Sequence, residues 1–179
     1  MGRIFNMVFL VGYMGSGKSF LGRLLADKLD FDFVDTDDYI EKMSGKSISS
    51  IFSEQGEDYF RKLETKAITK LSDIPNLVVA TGGGLPCYGN NMQLLRENGV
   101  VIFLDATPNV LMMRLVSEKS KRPLLADLEG NDTILNFITT HLQERLSYYN
   151  DAHLSITIEN NDLDFINPLV DYLKKVLKF

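Results

Sequence analysis

Gly12-Tyr13-Met14-Gly15-Ser16-Gly17-Lys18-Ser19 combines glycines, one lysine and a hydroxyl in the order G-x-x-x-x-G-K-[ST]. Glycines let a backbone curl until several N–H groups point inward, and a helix beginning there adds partial positive charge. Lys18 then reaches the β- and γ-phosphates, while the Ser19 hydroxyl can ligate Mg²⁺. The stretch reads as a cradle for a nucleoside triphosphate with Mg²⁺, with Gly15, Ser16, Gly17, Lys18 and Ser19 as its contacts. The plain alternative, a glycine-rich turn with an exposed lysine, leaves the four fixed positions unexplained. The loop does not say what receives the phosphoryl group.

A second cluster sits in Phe31-Asp32-Phe33-Val34-Asp35-Thr36-Asp37-Asp38-Tyr39, where carboxylates follow an apolar run. On a strand continuing past Val34, Asp35 and Asp37 fall on one side, because side chains alternate with period 2. One carboxylate could hold Mg²⁺ through water and the other could accept a proton from an attacking hydroxyl. Asp32 is read as solvating the turn and Asp38 as favouring the dipole of the next helix. An acidic first helical turn with no chemistry is the competing reading for Asp35 or Asp37 alone.

These groups need elements to place them. Ile4 to Val11 is a β-branched and aromatic run ending at the glycine-rich turn, and Phe20, Leu21, Leu24, Leu25 and Leu29 then recur at helical spacing. Further short apolar runs cover Phe31 to Val34, Leu77 to Ala80, Val100 to Leu104 and Leu154 to Ile158. Thr107-Pro108 resembles a helix start, and Gly99 a helix stop. Strands that alternate with helices and are mostly apolar throughout predict an α/β fold: a five-stranded parallel sheet between helical layers, α/β/α. Ligands of such sheets collect outside the carboxyl ends of the strands, after Val11, Val34 and Ala80. The polar stretch at about 117–131 is expected to be a mobile lid.

With 179 residues, 45% of them apolar, and no composition break, one domain over residues 1–179 is expected. A net charge of −5 argues against broad attraction to nucleic acid or anionic membrane. The longest apolar runs fall far short of the roughly 20 residues that span a bilayer. A single cysteine, Cys87, fits a reducing compartment, and a cytoplasmic location is expected. His141 and His153 come without paired cysteines, so zinc has little support and each is assigned to a solvated or half-buried face.

In order along the chain stand "GYMGSGKS", "DTDDYIE", "SGKSISSIFSEQGEDYFRKLE", "ATGGGLP", "RPLL" and "ERLSYYNDA". From Gly12 to about Ala152 this ordered set resembles the shikimate kinases, within the nucleoside-monophosphate-kinase structural family. The resemblance implies a P-loop kinase, expected as a monomer, that moves the γ-phosphate of ATP to the 3-hydroxyl of shikimate, on the route to chorismate and the aromatic amino acids. It implies that Asp35 supports Mg²⁺, and that Asp37 binds the acceptor hydroxyls and orients or deprotonates the one attacked. Arg61 and Arg145 would hold the shikimate carboxylate, and Gly83, between Gly82 and Gly84, would offer its backbone N–H to a substrate hydroxyl. Lys18 and the lid residue Arg122 would meet the phosphates, and the acceptor-binding segment would span about 36–64.

Residue chemistry agrees. Guanidinium forks match a planar carboxylate as lysine cannot, and a closely approaching backbone N–H wants glycine. An arginine arriving on lid closure would stabilise transferring charge and exclude water. Departures from the family pattern stand at Phe20, where a threonine is usual and only the backbone N–H is left for the nucleotide; at Leu115, where an adenine-stacking arginine is common and Arg114 is one residue out of register; and at Ser147, where proline is common. Bland readings remain for Arg61 and Arg145, as surface arginines on charged helices, and for Tyr148 and Tyr149, as core or interface residues. Mononucleotide kinases, gluconate-type kinases and a non-catalytic nucleotide-gated domain are the competing functions. The first would need extra phosphate-binding arginines that are not found; the paired acids and the "FR" block argue against the second; and retention of Lys18, Asp35, Asp37, Arg61 and Arg145 argues against the third.

Overall fold

The computed structural model describes residues 5–117, 125, 128–160 and 163–177. In chain order it runs β1 (Met7–Val11), α1 (Lys18–Leu29), β2 (Asp32–Asp35), α2 (Thr36–Ser44), α3 (Ile48–Gln55), α4 (Glu57–Leu71) and β3 (Leu77–Ala80). A 3₁₀ turn (Leu85–Cys87), α5 (Asn91–Asn98), β4 (Val100–Ala106), α6 (Pro108–Val116), α7 (Asn131–Tyr149), β5 (Leu154–Ile158) and α8 (Ile166–Val176) complete it. The sheet has five parallel strands in the order β2-β3-β1-β4-β5, as expected for strands joined through helices.

The inner strands explain why the sheet is parallel and covered. β1 is buried at all its positions, β3 likewise, and β4 at all but Asp105. Such strands need apolar neighbours on both faces. Their side chains join Leu25 of α1, Leu95 of α5, Leu111 of α6, Ile138 of α7 and Leu173 of α8 in one core. Each side chain of this kind taken fully out of water stabilises the fold by roughly 1.5–3 kcal/mol. The edge strands differ. β2 is half-buried after an exposed Asp32, and β5 alternates between half-buried and exposed before ending in buried Ile158.

Three strands depart from their expected bounds, and of these β4 simply runs two residues past Leu104, to Ala106. The first strand begins at Met7 rather than Ile4, which lies outside the described residues, and Phe5 makes only an isolated parallel bridge to Leu177. The second strand runs one residue later than Phe31 to Val34 and ends at Asp35, because the Asp35 carboxylate caps α2 by accepting from Asp37 N–H at 3.0 Å. Thr107 caps α6 with Pro108 behind it, and Gly99 ends α5, both as read from the sequence. Most of the segment expected to be a lid, Arg122 included, lies outside the described residues; within it, Leu125 is buried in the core.

Candidate active site

The turn after β1 and the start of α1 form the donor wall. Gly15 and Gly17 take φ of 80° and 98°, left-handed values that a side chain would strain, and Gly17 is the cap from which α1 departs. Lys18 is nearly buried, and its Nζ donates to the carbonyls of Gly12 and Tyr13, both at 2.8 Å. The ammonium is thereby held along the inner face of its own loop. Gly15, Gly17, Lys18, Ser19 and Phe20 line a cavity of about 570 Å³ that Asp35, Asp37, Gly82 and Gly83 close from the other side. Ser16 is buried within the same loop.

Ser19 Oγ donates to Asp35 Oδ2 at 2.6 Å, while Asp35 Oδ1 accepts from Asp37 N–H. A hydroxyl and a carboxylate oxygen thus stand side by side at the carboxyl ends of the strands. These are hard oxygen donors suited to Mg²⁺, which takes one or two protein ligands and completes its shell with water and substrate phosphates. Among the described residues no cluster of three or more His, Cys, Asp or Glu offers an all-protein metal cage.

The expected geometry of the acids needs one correction. Asp35 and Asp37 do not share a strand face by period 2, since the strand stops at Asp35 and Asp37 lies in the first turn of α2 beside Asp38. They still reach one cavity. The helical turn bends the chain there, so Asp35 meets Ser19 while Asp37 faces the glycine run. A Cβ added at Gly82 would lie 2.8 Å from Asp37 Oδ1.

That run, Gly82-Gly83-Gly84, is the point on which Asp37, Arg61 and Arg145 converge. Gly82 N–H donates to the hydroxyl of fully buried Thr36 at 2.8 Å, tying the run to the start of α2. A Cβ at Gly84 would sit 2.6 to 2.9 Å from the Arg61 guanidinium, and one at Gly83 would lie 3.5 Å from Arg145 Nη1 and 3.3 Å from Met14 N. Side chains at Gly82 or Gly84 would therefore push on Asp37 or Arg61. The middle glycine, which the family resemblance singles out, is the least crowded of the three.

Arg61 is ion-paired, as the bland reading had it, but it is half-buried rather than fully exposed. Its Nη1 donates to Glu64 Oε2 at 2.7 Å, and its Nε and Nη2 donate to Glu57 Oε1 at 3.1 and 2.8 Å. Glu64 is 1% exposed, and burial pushes its carboxyl up to about 7 against the pull of Arg61, with the Asp37 charge adding to the rise. Arg145 rests against His141, Nη2 to Nε2 at 2.8 Å, and His141 Nδ1 is 2.9 Å from Tyr13 Oη. Tyr149 is fully buried and stacked on Phe103, the core role expected of it, yet its hydroxyl also donates to Gly83 O at 2.7 Å.

Glu64, His141, Tyr13, Thr36 and Tyr149 are the participants that sequence reasoning missed or set aside. Only two carried a local signal. Glu64 stands three residues after Arg61, and His141 four before Arg145, both neighbours on a helix face.

Beside the donor wall a second cavity of about 340 Å³ is lined by Phe20, Leu21, Leu104, Ile158, Leu163 and Phe165, with Arg114 at its edge. Arg114 Nη1 donates to the carbonyls of Gly15 and Ser16, both at 3.2 Å. Leu115 is fully buried, and its Cγ lies 3.0 Å from where a Gly15 Cβ would be. The helix therefore turns Arg114, not position 115, toward the cavity mouth. Phe20, 64% exposed, lies between the two cavities.

Comparison with known proteins bears on this arrangement. The shikimate kinase family model matches residues 14–174. A shikimate kinase of Phocaeicola vulgatus is 40% identical over 171 residues, covering 95% of this chain and 97% of its own. A solved shikimate kinase from Bacteroides thetaiotaomicron superposes with a TM-score of 0.84 at 35% identity, over 94% of this chain and 96% of that one. Another, from Acinetobacter baumannii in complex with shikimate, gives 0.79 at 34% identity, over 96% and 93%. Sequence and fold agree along nearly the whole length, and the chain belongs to the shikimate kinase family.

Proposed function

We propose that the protein transfers the γ-phosphoryl group of ATP to the 3-hydroxyl of shikimate, giving ADP and shikimate 3-phosphate. One observation carries this reading beyond family membership. Asp37 faces the cavity walled by Lys18 and Ser19, while Arg61 and Arg145, from separate helices, approach the adjoining glycines. A ligand with a hydroxyl at one end and a carboxylate at the other fits that arrangement.

Each group then has a task. Arg61 and Arg145 bind the carboxylate, and the glycine run receives the ring edge, with the Gly83 N–H offered to a hydroxyl. Asp37 orients the attacking hydroxyl and takes its proton as the oxygen bonds to phosphorus. Lys18 and the loop N–H groups stabilise charge spread over the equatorial oxygens. Ser19 and Asp35 would hold Mg²⁺, which when bound neutralises charge on the β- and γ-phosphates. Arg122 would come down with the lid segment, about 117–131, over the phosphates. Arg114 and the apolar cavity beyond Phe20 take the nucleotide base, replacing the arginine expected at position 115. Residues 36–64 serve as the acceptor-binding segment of a single domain that works as a monomer in the cytoplasm. Among the described residues no helix is long and apolar enough to cross a membrane.

The test is an acceptor panel. With ATP and Mg²⁺ supplied, ADP formation is followed with shikimate, gluconate, AMP, CMP, UMP or no acceptor. Rapid ADP formation with shikimate alone is expected; equal rates with and without it would overturn the proposal.

A further inference from the structure

We propose that His141 is a positioning residue for the acceptor: its Nε2 holds the Arg145 guanidinium in place, and Tyr13 of the phosphate loop fixes the ring tautomer that allows this. The proposal rests on the reading of Arg145 as a carboxylate-binding group.

The argument follows from donor and acceptor inventories. A guanidinium carries donors only, so the 2.8 Å contact between Arg145 Nη2 and His141 Nε2 requires Nε2 to be an unprotonated acceptor. A neutral imidazole then carries its proton on Nδ1, which faces Tyr13 Oη at 2.9 Å. Burial pushes the Tyr13 phenol up to about 12 although Arg145 pulls the other way, so the hydroxyl stays neutral and accepts from Nδ1–H.

Packing leaves the ring little freedom to turn. Tyr13 meets it edge-on at 89° with centroids 5.6 Å apart, and Phe137 lies at 5.2 Å. Burial and the Arg145 charge hold His141 below the ordinary histidine range, with Glu144 opposing, which keeps Nε2 available as an acceptor. Arg145 is also poised over the Tyr13 ring, its Cζ 5.7 Å from the centroid. The same Tyr13 gives its backbone carbonyl to Lys18. One loop residue thus touches both the group that meets the phosphates and the relay that sets the acceptor's arginine.

The other histidine supplies an internal contrast. His153 Nδ1 accepts from Val101 N–H at 3.0 Å, so its proton belongs on Nε2. The chain has two histidines and they should hold opposite tautomers.

Long-range ¹⁵N–¹H spectra of histidine-labelled protein near neutral pH read this without activity. One Nδ1–H ring and one Nε2–H ring are expected, and H141Q, which keeps only His153, assigns them; two Nε2–H rings would overturn the proposal. In kinetics, H141L should raise the KM for shikimate about tenfold, the scale of a hydrogen bond to a charged group, with kcat and the KM for ATP within about twofold. H141Q, whose amide oxygen falls near Nε2, should recover most of that loss. An unchanged shikimate KM in folded H141L, or no recovery in H141Q, would overturn the relay. Should H141L fail to fold, the spectrum and H141Q still decide. Absence of shikimate turnover in the unsubstituted protein would instead count against the proposed function.

Discussion

The two walls of the cleft, proposed to take the phosphoryl donor and its acceptor, are built on different plans. On the donor side a single continuous stretch, Gly12 to Ser19, supplies glycine-permitted backbone, a lysine seated on its own loop's carbonyls and a hydroxyl beside Asp35. On the acceptor side Asp37, Arg61, Gly82 to Gly84 and Arg145 come from four separate segments, and side-chain partners hold the two arginines: Glu57 and Glu64 for Arg61, His141 for Arg145. A triphosphate presents repeating oxygens that inward N–H groups can meet. A small acceptor with one carboxylate and particular hydroxyls needs separately placed groups, and each of those needs a partner to fix it.

Substitutions can break either plan. The largest effect is expected for Lys18→Met, which removes the charge proposed to meet the transferring group and should lower kcat on the order of 10²–10³-fold in steady-state assays. Retained turnover would remove Lys18 from the chemistry. Asp37→Asn is expected to cost on the order of 10²-fold in kcat. Because α2 is capped through the backbone N–H of Asp37 rather than its side chain, the fold and the nucleotide affinity should stay close to those of the parent. Weakened ATP binding of the same size would place Asp37 on the donor side and blur the contrast.

Arg61→Lys exchanges a fork for a point charge. It should weaken shikimate binding about tenfold while sparing ATP, measured by calorimetric titration of each ligand. An unaltered shikimate affinity would return Arg61 to a structural role. The smallest effect sought is a slope. Glu64 binds its proton more tightly in the folded chain, at about 7, than at its ordinary 4.5, so its contribution to stability falls as pH rises between those values. Melting temperatures of the parent and of Glu64→Gln should therefore diverge in pH dependence across that window. Parallel curves would mean that burial of Glu64 is not felt in stability.

How much of this could be read in the chain follows from the same contrast. The glycine-rich loop, the third strand and the caps at Thr107 and Gly99 are local patterns, and they stand where their spacing put them. The acids at Asp35 and Asp37 reach the expected cavity by a different route. Period-2 reasoning continues a strand until something stops it, and here the Asp35 side chain does so by capping a helix. Arg61 and Arg145 were legible through ordered resemblance rather than helix pattern, which favoured surface ion pairs. Glu64 and His141 had only their helix spacing to those arginines as a signal, and spacing alone does not reveal that the carboxylate is buried or that the imidazole bridges to Tyr13. Arg114 shows the reverse: one residue out of register in sequence, it faces the cavity because Leu115 is committed to the core.

The most direct test of the central claim follows the phosphate itself. The protein is mixed with ATP labelled at the γ-phosphate, Mg²⁺ and shikimate, and the label is traced by ³¹P or radiochemical analysis. The account predicts that ADP appears with the label on the shikimate 3-oxygen, and that omitting shikimate leaves the ATP nearly intact. Label appearing as inorganic phosphate at the same rate with and without shikimate would contradict it.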